Sequence, residues 1–115
     1  MKNTQLQNLI VALEKASKQQ KVKIWNAVAG NLQKPTRQKR EVNLTKISAV
    51  TKKDDSIIVP GKVLGTGDLT HAVRIVAYAW SERAAQKIEA AGGKITSIND
   101  ELQKNAKGAK LRIIG

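Results

Sequence analysis

The sequence predicts an α/β fold in a single compact domain, with a helical hairpin leading into alternating strands and helices. Three observations predict it. Apolar residues recur at helical spacing in the first third of the chain. From Asp54 onward, runs rich in β-branched residues alternate with helical patterns, which argues for an α/β arrangement. The length of 115 residues and an apolar content of 41% suit one domain with its own core. Residues 1–53 form a basic, mainly helical portion, and residues 54–115 the strand–helix core.

Leu6, Leu9, Ile10, Leu13 and Ala16 mark one face of a first helix, with Asn3 or Thr4 as its N-cap. Ile24, Trp25, Val28, Ala29 and Leu32 mark a second, which Lys34-Pro35 stops because the residue before proline avoids helical backbone. The short polar join between them predicts a hairpin. Pro35 to Arg40 holds no apolar residue and reads as an exposed basic loop. Leu44, Ile47 and Val50 then line one side of a short helix. "SIIVPG" predicts a short buried strand, closed by a type II turn at Pro60-Gly61. Gly65 to Asp68 allows a second reversal, and "HAVRIVAYAW" predicts a longer strand that places Tyr78 and Trp80 on one face. Ser81 caps a helix whose inward residues are Ala84, Ala85, Ile88 and Ala91, and Gly92-Gly93 ends it. "KITS" is a strand, Ser97 and Asp100 open a short helix with a variant capping box, and "AKLRIIG" is a last strand.

Charge is the strongest functional signal. The formal net charge is +12 and the pI about 10.3. The excess is lopsided: residues 1–53 carry twelve basic and two acidic side chains, whereas residues 54–115 carry nine and seven. A cationic half suits a polyanion, because each phosphate neutralised releases condensed counterions. Nucleic acid is favoured over an acidic membrane, since no basic helix carries bulky apolar residues beyond what a core requires. The absence of cysteine excludes disulfides and thiol chemistry. With no apolar run resembling a signal peptide or a membrane span, a cytoplasmic protein is expected.

The glycine-rich stretch "IIVPGKVLGTGDL" asks whether a nucleotide is bound. A Walker loop requires a glycine, four intervening residues, Gly-Lys and then a hydroxyl residue; here no glycine opens that gap and Val63 follows Lys62. A dinucleotide fingerprint requires a third glycine that is missing after Gly65 and Gly67. The glycines therefore shape turns, either alone or in turns that also lie against RNA with Lys62 directed at a phosphate. His71 has no partner motif, and Ser81, His71 and Asp68 lack the setting of a nucleophile elbow. Asp54-Asp55 reads as a polar turn. No catalytic residue, cofactor site or metal site is expected. Lys34, Arg37, Lys39, Arg40, Lys46, Lys52 and Lys53, opposed only by Glu41, are the expected phosphate contacts.

"KPTRQKREVNLTKI" together with "VPGKVLGTGDL" resembles the archaeal and eukaryotic large-subunit ribosomal protein L-eighteen-e family, a relative of bacterial L-fifteen. The similarity extends from the opening hairpin with Trp25 to "IEAAGGKITSI" and "KGAKLRII", and the length resembles the archaeal form. The glycine- and arginine-rich N-terminal extension of the bacterial relatives is absent here. The resemblance implies a non-catalytic constituent of the large subunit, partnered by large-subunit rRNA and neighbouring ribosomal proteins, with no membrane or small-molecule substrate. It also implies a core of irregular β-β-α superhelical units. By matching position, Lys34, Pro35, Arg37, Asn43, Leu44 and Lys46 belong to the first motif, and Pro60, Gly61, Lys62, Gly65 and Gly67 to the second. Asn43, Lys62, Gly65 and Gly67 thus join the expected RNA contacts. A small DNA-coating chromosomal protein is the alternative reading.

Overall fold

A computed structural model describes residues 4–21, 23–33, 41–104 and 111–114, with side chains from residue 7 onward. The elements run α1 (Thr4–Gln20), α2 (Ile24–Leu32), β1 (Glu41–Asn43), α3 (Leu44–Val50), β2 (Asp55–Leu64), β3 (Val73–Trp80), α4 (Glu82–Ala90), β4 (Lys94–Ser97), α5 (Ile98–Lys104) and β5 (Leu111–Ile113). All strand pairings are parallel, in the order β1-β2-β3-β4. Strand β5 shares the β1 side of β2: it pairs with Ser56–Ile58, while β1 pairs with Lys62–Leu64.

Alternation along the central strands separates two cores. Ile57, Val59, Val73, Ile75 and Ala77 face Leu44 and Ile47 of α3 and Ala84 and Ile88 of α4. Ile58 and Val76 face the other way, onto Leu13, Trp25, Val28, Leu32 and Ile98 of α1, α2 and α5. Helices therefore cover both sides of the sheet, as a parallel sheet with apolar residues on both faces requires. Full burial of side chains such as Trp25 and Ile58 contributes about 1.5–3 kcal/mol each.

Local signals placed most elements where expected. Ser81 Oγ accepts from the Ala84 N–H, and Gly92 and Gly93 donate to the Glu89 and Ile88 carbonyls in a Schellman closure of α4. Ser97 Oγ likewise accepts from the Asp100 N–H. The expected caps Asn3 and Thr4 and the stop at Lys34-Pro35 fall outside the side chains described.

Four expectations need correction. Pro60-Gly61 is no type II turn: the strand continues to Leu64, and the register slips by one residue between Val59 and Lys62. Gly61 is not among the glycines with positive φ. A bulge accommodates a proline that cannot donate to the ladder. Next to this bulge the alternation of β3 breaks, so Tyr78 lies against the α1–α2 core and Trp80 against the α3–α4 core, on opposite faces. Val50 is exposed rather than inward. Finally, Gly65–Asp68 does not reverse the chain between antiparallel neighbours, because β2 and β3 are parallel. From Leu64 the chain must return the length of β3, roughly 23 Å at ~3.3 Å per residue, in nine Cα steps that reach about 30 Å at most. A helix rises only about 1.5 Å per residue and could not cover that distance. The connection is therefore extended, anchored by the buried Leu69.

Candidate nucleic-acid interface

Strand β1 is too short to show as a pattern of its own, yet it organises the basic half of the chain. Helix α2 contacts β2 and β5, and α3 contacts β1, so the basic half wraps one edge of the sheet from both faces. Lys46 lies in the first turn of α3; Lys52 and Lys53 lie between α3 and β2. All three are exposed, and none makes an ion pair with another described residue. Lys62 is exposed on β2, in register with Glu41 on one side and Ala79 on the other. The Lys34, Arg37, Lys39 and Arg40 stretch lies outside the described residues; Gln33 before it and Glu41 after it are both exposed.

Asn43 has a local task. Its Oδ1 accepts from the Lys46 N–H at 3.0 Å, capping α3. The glycines are equally engaged with the fold. A Cβ on Gly65 would stand 2.9 Å from the Ala84 nitrogen and the Arg83 side chain, so α4 occupies that space. Gly67 has φ +83°, and its missing Cβ would fall 1.8 Å from Thr45 Oγ1. The loop sits between α3 and α4 only because both positions lack side chains.

Lys87 completes this arrangement. From α4 its Nζ donates to the Gly65 carbonyl at 2.9 Å and the Gly67 carbonyl at 2.6 Å, with the Asp68 carboxylate at 3.6 Å. A charged donor thus satisfies two loop carbonyls that the extended crossover would otherwise leave bare. Sequence reasoning missed Lys87. Its only local feature is helical spacing, and its partners lie 20 and 22 residues away.

Other cations of the second half are tied inward too. Arg74 Nη1 and Nη2 reach the two Glu101 carboxylate oxygens at 2.6 Å each, and Glu101 is 3% exposed. The Arg74 pKa is raised above its ordinary value by the hydrogen bond to Glu101, opposed by burial and aided by the carboxylate's charge. Arg112 donates to the Val50 carbonyl and lies 3.7 Å from Asp55, fastening β5 beside the end of α3.

The residues weighed for catalysis do not assemble. His71 Nε2 lies 2.8 Å from Thr51 Oγ1 and its Nδ1 lies 3.1 Å from Thr70 Oγ1. Thr51 already donates to the Ile47 carbonyl, so its oxygen accepts from the Nε2 N–H. Histidine here ties the end of α3 to the crossover. Ser81 caps α4, and Asp68 faces Lys87. Asp54 adopts φ 67° in an exposed turn, and Asp55 Oδ2 accepts from the Lys52 N–H. Among the described residues no helix is long and apolar enough to cross a membrane.

Against known proteins, residues 5–96 match the family described as "Ribosomal proteins 50S-L15, 50S-L18e, 60S-L27A". The chain is 46% identical over 112 residues to the "Large ribosomal subunit protein eL18" of Methanoregula boonei, covering 97% of this chain and 93% of that one. It is 40% identical over 112 residues to the protein of the same name from Methanothermobacter thermautotrophicus, with the same coverage. The Sulfurisphaera tokodaii protein is 45% identical over 101 residues, covering 88% of this chain and 82% of its own.

Proposed function

The chain belongs to this family of ribosomal proteins, a structural rather than catalytic family, and from that premise we propose that its β1 edge binds folded large-subunit rRNA. It is a structural constituent of the large ribosomal subunit. The observation that carries the RNA reading is the set of exposed lysines, Lys46, Lys52 and Lys53, which lack an ion-pair partner among the described residues. A cation without an internal partner is available to a phosphate. Charge of one sign along an edge draws together RNA strands that repel one another.

In this reading Lys34, Arg37, Lys39 and Arg40 are further phosphate contacts, and Lys62 adds one beyond the bulge. Asn43, Gly65 and Gly67 serve it by holding α3 and the crossover in place. Neighbouring ribosomal proteins of the large subunit are further partners. The direct β2–β3 connection followed by α4 supports the finer description of the core as β-β-α units.

The test is salt-dependent binding to large-subunit rRNA. With 6–10 phosphates engaged, affinity falls about 10³–10⁵-fold between roughly 50 and 200 mM salt. Reversing Arg37, Lys39 and Arg40 to Glu weakens binding and leaves the fold intact. A slope of one or two ions, or equal preference for duplex DNA in competition, overturns the proposal.

A further inference from the structure

The far edge of the sheet carries a second cluster of cations, none of it in either sequence motif. Arg74 from β3, Lys94 from β4 and Lys104 from α5 line one open hollow together with Ile95, Thr96 and Glu101. Its volume of about 580 Å³ lies within the range of sites that admit a small ligand. Among the described residues, three cations and one carboxylate line it. Glu101 is buried with both its oxygens held by Arg74, and neither Lys94 nor Lys104 forms an ion pair with it.

Both lysines are exposed and without an ion pair among the described residues. The Arg74 guanidinium is 37% exposed, and a guanidinium has five N–H donors. Glu101 fixes its plane, so the donors it does not use are held toward the hollow without further ordering cost. A guanidinium fixed by Glu101 with two exposed ammoniums on the same hollow matches a phosphodiester group, which offers one negative charge shared over two oxygens and no donor.

Resting on the rRNA-binding reading, we propose that this hollow takes a backbone phosphate of a second tract of rRNA. Strand β4 is three strand spacings from β1, roughly 14 Å at ~4.8 Å each, with side chains reaching outward from both edges. The domain then joins two stretches of RNA backbone across its sheet. The motif edge holds one, and Arg74, Lys94 and Lys104 hold the other.

The experiment compares the full chain with K94A/K104A by hydroxyl-radical footprinting on deproteinised large-subunit rRNA, and by the salt dependence of binding. Both substitutions are on the surface and leave the Arg74–Glu101 pair in place. The expected result is two separated protected tracts for the unaltered chain. The variant keeps one tract, and its log–log salt slope falls by about two, one per lysine. Unchanged protection and slope in the variant, with the unaltered chain bound, overturns the second contact and leaves the first. Failure of the unaltered chain to bind rRNA overturns both.

Discussion

The lysines of α3 and the turn after it and the pair Arg74 and Lys87 use the same kinds of side chain in different ways. On α3 and the turn after it, Lys46, Lys52 and Lys53 are exposed, with no carboxylate paired to them among the described residues. Around β3 and α4, Arg74 grips a buried Glu101 and Lys87 grips two carbonyls of the crossover. A cation tied to internal partners holds elements together, whatever donors it has left over; one without such partners has its whole charge available to a polyanion. Counting basic residues cannot separate the two groups, whereas their partners can.

The largest expected effect of breaking that distinction is at Arg74. Arg74→Met leaves the Glu101 carboxylate buried without its bidentate partner and costs about 3 kcal/mol in denaturant unfolding. Combining it with Glu101→Met returns much of that loss, since the pair's desolvation cost vanishes with it. A double variant as unstable as the single one contradicts this account. An arginine of raised pKa contributes its stability in full below its unfolded value and loses it only as pH rises through the still higher folded one. An alkaline scan to about pH 10 therefore leaves the pair's contribution unchanged on the arginine side.

Gly67→Ala comes next, at about 1–3 kcal/mol, because the new Cβ meets both a positive φ and Thr45. Adding Thr45→Ala relieves the clash with Oγ1 but not the backbone strain, so rescue is partial. Lys87→Met costs about 1–3 kcal/mol by leaving the Gly65 and Gly67 carbonyls without their donor. Amide exchange sharpens this result: protection is lost in the crossover before the central strands.

The smallest effect on stability falls where binding changes most. Lys52→Ala and Lys53→Ala shift unfolding by less than about 0.5 kcal/mol. Each lowers the salt slope of rRNA binding by about one. If either destabilises like Lys87→Met, the separation of structural from free cations fails.

Much of this was legible in the residues themselves. Helical spacing marked α1, α2 and α4; Ser81, Ser97 and Gly92-Gly93 marked helix ends; the lopsided charge marked the half proposed to bind RNA. Each such signal acts within a turn or two of the chain, or is a simple sum over it. Pairings between distant segments are not legible in that way. Strand β1 is three residues long and exists because Lys62–Leu64 offers a ladder. The bulge at Pro60-Gly61 was misread as a turn because proline and glycine look alike in both settings. The shared face assigned to Tyr78 and Trp80 assumed an alternation that the bulge interrupts.

The sequence by itself determined the α/β class, the helix ends and the surplus of cations, because capping, periodicity and charge are local or additive. Only the tertiary structure decided which cations are free. Whether Arg74 or Lys87 meets a partner depends on segments some 20 to 27 residues away. Such meetings are set by how parallel strands and the helices between them come together.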